Sequence, residues 1–178
     1  EDLARRCRRA LLALADEQSA AQESSDPADR FVALLRSVLS SGRAHVASPR
    51  GGAPDESPQS CGWRSLGESS VSETVWQPQG RRLGWVDGPN LYVDSESAYA
   101  EVQRLGAEQG EALAVSRTTL HRRLNERKLL ATSEQATRGK LTSRITLDGA
   151  QRTVLHLRTS DVLGLEATQP EEVVSWTS

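Results

Sequence analysis

The chain has no methionine, only two cysteines, and no apolar run approaching the roughly 20 residues that a membrane-spanning helix needs. Its N-terminus also lacks the apolar core of a secretory signal. Membrane and secreted classes are therefore not expected. Cys7 and Cys61 cannot build a disulfide framework, which points to a cytoplasmic chain with reduced thiols. Because a natural reading frame opens with methionine, its absence suggests a fragment or a processed chain. Catalytic signatures are missing too. There is no phosphate-binding G-x-x-x-x-G-K-[ST] loop, only a lone Gly-Lys in Arg138-Gly-Lys-Leu-Thr142. A Gly-x-Ser-x-Gly elbow and a Gly-rich dinucleotide fingerprint are likewise absent. His45, His121 and His156 do not pair with one another or with the cysteines at ligand-like spacing, so no metal and no cofactor are expected. Glu171-Glu172 reads as a solvated terminal pair. The sequence thus reads as non-catalytic.

The 178 residues suffice for one ordinary domain or two small ones. The net charge of −2 hides a separation of sign. Between Glu111 and Arg158 ten Lys/Arg face four acids, a local +6, which leaves 12 basic and 20 acidic residues, −8, elsewhere. Such a split suggests a polyanion-binding module on an acidic chain.

From the N-terminus, Leu3, Cys7, Leu11 and Leu14 form one stripe of an amphipathic helix over 3–15, with Arg5, Arg6, Arg8 and Arg9 largely opposite. A second helix opens with Asp26 as N-cap, Pro27 at the first position and Asp29 in the first turn. It runs along Phe31, Leu34, Leu35 and Val38 to a stop at Gly42. Residues 1–47 therefore predict a helical hairpin. Residues 48–60, with three Pro, two Gly and three Ser, predict a mobile loop. Short apolar runs at 61–64, 74–76, 82–86 and 91–93, with turn residues 78–80 and 87–90 between the last three, predict a small antiparallel meander over 61–93. Gly-Trp occurs twice in it, at 62–63 and 84–85. Its tryptophans suit the core of a small domain better than base stacking, because the surroundings are acidic.

Asp94 or Ser95 caps a helix running to about Gln109, with Ala98, Val102 and Leu105 inward and Gly110 as its end. Residues 111–115 follow as a short helical or turn segment. Ser116 then caps a helix whose Leu120 and Leu124 point inward at i, i+4, while Arg117, Thr118, His121, Arg122 and Asn125 point out. An α-helix fits the DNA major groove, where Arg reads guanine and Asn reads adenine. A charged outer face is also what any solvated helix carries, so the neighbours decide. Leu141 to Leu147 and Thr153 to Leu157 alternate around Asp148-Gly149, a hairpin pattern. A two-residue loop would put Ile145 opposite Arg152. A three-residue loop unites Leu141, Ile145, Leu147, Leu155 and Leu157 on one face, and the expectation follows this second register, which displays Arg144, Arg152 and His156 on the other.

A helix, a turn, a recognition-type helix and a basic hairpin, in that order over 94–158, resemble a winged helix-turn-helix DNA-binding domain. Val115-Ser-Arg-Thr-Thr-Leu-His-Arg-Arg-Leu124 looks like its recognition helix, and Leu129-Leu130 like the exit into the wing. Residues 106–115 depart from the pattern, since two glycines make a poor middle helix. The Gly-Trp meander, Leu-Tyr-Val and Val154-Leu-His-Leu157 also resemble the C-terminal region of replicative helicase or primase-helicase proteins of phages and mobile elements. That likeness implies an ATPase or helicase core upstream and other subunits of a replication complex as partners. The expected class is α+β: an N-terminal helical hairpin, a Trp-containing meander, a winged helix and a tail over 159–178. Double-stranded DNA is the expected ligand. Arg117, Thr118, His121, Arg122 and Asn125 are candidates for the groove, with Arg123, Lys128, Arg138, Lys140, Arg144 and Arg152 for phosphates. The alternative is a protein-interaction winged helix that docks a partner subunit.

Overall fold

A computed structural model describes residues 8–9, 26–68, 74–110, 112–131 and 141–164. It is an α+β fold with two sheets. Of the first predicted helix only Arg8 and Arg9, both helical, lie among the described residues. Helix α1 (Pro27–Ser40) begins as the sequence dictates. The Asp26 side chain accepts a hydrogen bond from the Ala28 amide at 2.8 Å, Pro27 occupies the first turn, and Ser41 closes the helix ahead of Gly42 at φ +74°. Phe31, Leu35, Val38 and Leu39 are fully buried.

Strand β1 (Ala44–Ala47) follows at once, within the segment predicted to be only a helical hairpin. Strands β2 (Trp63–Glu68) and β3 (Thr74–Pro78) pair with each other alone. Strand β4 (Arg81–Asp87) runs parallel to β1 and antiparallel to β5 (Asn90–Asp94). The predicted meander is therefore divided. Residues 78–80 carry the chain from the small sheet to the large one, whereas Gly88-Pro89 closes a two-residue hairpin in which Gly88 takes φ +52°. Helices α2 (Ser95–Glu108) and α3 (Arg117–Glu126) come next, then β6 (Ser143–Leu147), β7 (Ala150–Arg158) and the short α4 (Thr159–Leu163). The large sheet has the order β1-β4-β5-β7-β6. Since β5 and β7 are hydrogen-bonded neighbours, the predicted boundary between meander and winged helix passes through one continuous sheet.

The two Gly-Trp pairs share a physical cause. A Cβ on Gly62 would lie 2.1 Å from the Ala44 carbonyl oxygen, and one on Gly84 2.1 Å from that of Tyr92. Only glycine admits the neighbouring strand so closely, and each following indole is buried. The predicted mobile loop 48–60 is folded into turns instead, with Ser48 N–H donating to Gly52 O at 2.8 Å and Cys61 N–H to Pro58 O at 3.0 Å. Its far end is pinned to β1, where Val46 N–H donates to Cys61 O and the Trp63 indole to Val46 O.

The start of the predicted tail is also structured. Helix α4 buries Val162 and Leu163, and Arg36 of α1 donates to the carbonyls of Val162 and Asp161. Residues 165–178 lie outside the described residues. Helix α1 packs against α2, α3 and α4. One hydrophobic cluster runs from Ala28 to Leu163 and takes in Leu83, Leu91, Leu120, Leu124, Leu155 and Leu157. No helix among the described residues is long and apolar enough to cross a membrane.

Candidate nucleic-acid interface

Helix α3 is set by its ends and by two leucines. The Ser116 hydroxyl caps it by accepting from the Thr119 amide at 3.2 Å, and Leu120 and Leu124 are buried. Residues 112–116 before it are not helical, so of the two forms expected for 111–115 the helical one is not taken among the described residues. Gly110 ends α2 at φ +76°, and α2 holds the connection by side chains. The Tyr99 hydroxyl donates to Val115 O at 2.6 Å, Gln103 Nε2 donates to Leu113 O at 2.9 Å, and Leu113 is buried. Sequence reasoning missed this clamp, because Tyr99 and Gln103 lie four residues apart on a helix and carry no motif.

With Leu120 and Leu124 inward, the periodicity of α3 places Thr118, Arg122 and Asn125 on its far side. Thr118 and Arg122 are exposed and Asn125 half-buried. Arg117 is exposed on one flank, 3.7 Å from Glu96. His121, expected to face outward, turns instead toward the start of α2, where its Nε2 lies 2.7 Å from the Ser95 hydroxyl. Burial, helped by the charge of Arg117, lowers the His121 pKa and favours the neutral ring. On the other flank Arg123 pairs with Glu126 at 3.0 Å, and Arg127 pairs with Asp29 and lies 3.6 Å from Asp26, both at the start of α1. Lys128 is exposed at φ +57°, and its carbonyl accepts from Arg158.

Arg138 and Lys140 lie outside the described residues. The β6–β7 hairpin adopts the register that the sequence reading set aside: Ile145 is opposite Arg152, and Leu147 opposite Ala150. Asp148 and Gly149 both take positive φ, +54° and +70°, which is the two-residue turn whose twist suits paired strands. Val154 and Leu155, on opposite faces of β7, are both buried, so apolar alternation does not distinguish the two registers. Arg144 lies on the face that continues into Leu155 and Leu157, while Arg152 lies on the face of His156 and Tyr92, with its guanidinium carbon 5.7 Å from the Trp85 ring centroid. The two expected wing cations thus point to opposite sides. His156 is half-buried against Tyr92, hydrogen-bonds to Asn90 Oδ1 at 2.8 Å, and has its pKa lowered by burial.

The structure therefore brings Thr118, Arg122 and Asn125 together, with Arg117 at their edge, and does not gather all the candidate cations on one surface. Arg81 and Arg82, which no motif singled out, stand beside Trp85. Compared with known protein families, curated proteins and solved structures, the chain matches none.

Proposed function

We propose that this chain carries a winged helix-turn-helix that binds duplex DNA, with α3 entering the major groove. The order β5-α2-α3-β6-β7 supports the reading, with its strands side by side as β5-β7-β6 and α1 packed across α2 and α3. In this arrangement α1 supplies the helix that precedes the first strand, α2 is the supporting helix and β6–β7 the wing. The observation that carries the proposal is the outer side of α3. Thr118, Arg122 and Asn125 project from a helix fixed by Leu120, Leu124 and the Tyr99–Gln103 clamp. Arg and Asn are the residues with bidentate matches to guanine and adenine edges, and Thr suits a base edge or a thymine methyl. Arg144 and Lys128 contribute phosphate contacts, which position the module without reading sequence. We place the module, on the strength of its resemblance alone, in a larger cytoplasmic replication or mobile-element protein with a helicase core.

Duplex binding measured by fluorescence anisotropy over a range of salt tests the proposal. With about four phosphate contacts, from Lys128 and Arg144 together with the expected Arg138 and Lys140, log K falls against log[salt] with a slope near −3.6. A slope near zero refutes an electrostatic footprint. One observation favours the second reading, a winged helix that docks a protein partner: Glu96, Glu126, Asp26 and Asp29 offset three of the four arginines on and just after α3. Co-purification of a partner by a chain that is not retained on duplex DNA at about 100 mM salt, where a phosphate-contacting module still binds, establishes that reading.

A further inference from the structure

A cleft of about 500 Å³ opens where β5 gives way to α2, lined by the first residues of β4, the first turn of α2 and Arg152 of β7. It contains three guanidinium groups from two distant segments. Arg82 and Arg152 lie against the Trp85 indole, their guanidinium carbons 4.7 and 5.7 Å from its ring centroid, and Arg81 adjoins them. Trp85 is 4% exposed, and its Nε1–H is buried with no hydrogen-bond acceptor. A buried donor without an acceptor is costly, and because this one is closed to solvent an acceptor reaches it only with a shift of the arginines over the ring.

Three carboxylates border the cleft, and each has a partner. Asp94 caps α2 by accepting from the Ser97 amide at 2.8 Å, Glu96 faces Arg117, and Asp148 takes Arg82 at 3.1 Å. Arg81 and Arg152 have no carboxylate partner among the described residues. Two free guanidinium forks and an indole N–H are all donors, so the complement is an anion rich in acceptor oxygens. A carboxylate offers two oxygens. A phosphoryl group offers three, enough to engage both forks and the indole together.

We propose that this cleft is a phosphoryl-binding site, recognising a phosphate-bearing ligand through Arg81, Arg152 and the Trp85 Nε1–H, with Arg82 holding the indole in place. It lies on the Arg152 face of the β6–β7 hairpin, opposite to Arg144, and borders α3 through Glu96, which lines the cleft and faces Arg117. The inference does not depend on the DNA reading.

Isothermal titration of the chain with inorganic pyrophosphate at low ionic strength tests it. Saturable binding is expected, weakened roughly tenfold or more by Arg81→Ala and by Arg152→Ala, each of which removes a charge-assisted contact. Both side chains are exposed, so these variants keep the fold. Trp85→Phe preserves the ring but not the donor and weakens binding severalfold, whereas Arg144→Ala leaves it unchanged. Repeating the titration with a short DNA duplex present identifies the source of the phosphoryl group. Competition assigns it to a strand backbone, and undiminished binding assigns it to a free phosphate-bearing small molecule. Absence of saturable binding, or binding that survives the Arg81→Ala/Arg152→Ala double variant, overturns the proposal. Duplex binding that fails while pyrophosphate binding stands sinks the DNA reading alone.

Discussion

Four arginines stand on or just after α3 and three stand around Trp85, yet the two groups differ in what balances them. On α3, Arg117, Arg123 and Arg127 each have a carboxylate within 4 Å, supplied by α2, by α3 itself and by α1, and Arg122 alone is free of one among the described residues. Around Trp85 the proportion is reversed, since among the described residues only Arg82 has an acidic partner. The lesson concerns how a charge count is read. The +6 of the C-terminal third is a property of the sequence, but the field a polyanion meets is what remains after pairing. On that measure α3 and the residues just after it offer two uncompensated cations among the described residues, Arg122 and Lys128, beside the polar Thr118 and Asn125.

The largest test of this contrast removes the support of α3. Leu120 is 1% exposed, so Leu120→Ala is expected to lower unfolding free energy by about 2–5 kcal/mol in urea denaturation. A loss below 1 kcal/mol would mean that the helix is not held by the core. Next is Arg122→Ala, which should weaken binding to a preferred duplex by about 1–3 kcal/mol and relax specificity at one base pair. An equal loss on every sequence makes Arg122 a phosphate contact and narrows the difference between the two groups. Smaller still is Glu126→Gln, which releases Arg123 from an exposed pair worth about 0.2–1 kcal/mol. Duplex association should quicken at low salt and the gain should vanish at high salt. No change in rate would show that pairing does not mask the arginines.

The smallest effect is in pH. His121 has a lowered pKa in the folded chain, so the unfolded chain binds a proton first as pH falls. The stability linked to the neutral ring is complete above the unfolded value of about 6.5 and is lost as pH drops through the lowered folded value. His156 acts in the same direction. The melting temperature should decline from pH 7.5 to pH 5, and His121→Asn should flatten part of that decline. An unchanged pH profile in this variant would place the titrating group elsewhere.

Helices were readable because their signals are local. Asp26-Pro27 and Ser116 announce starts, and stripes such as Phe31, Leu34, Leu35 and Val38 need only about two turns of context. The β4–β5 hairpin was equally plain from Asp87-Gly-Pro-Asn90. β1 was not, since Ala44–Ala47 is four residues long and pairs in parallel with a strand more than 30 positions away. At the β6–β7 turn both registers satisfied the local sequence, and the backbone preference of Asp148-Gly149 prevailed over the hydrophobic pattern. On α3 the outward set was half legible: Thr118, Arg122 and Asn125 follow from periodicity, but His121 is captured by Ser95, 26 positions earlier. The surroundings of Trp85 were illegible because residues 82 and 152 meet only through tertiary structure.

The tip of the β6–β7 hairpin is fastened at both ends of its reach, by Asp148 to Arg82 and by Arg152 to the Trp85 ring. A projection restrained in this way is ordered before any partner arrives. Little configurational entropy is then forfeited on contact, so a complex formed there should assemble with a small ordering penalty and present a span fixed in advance.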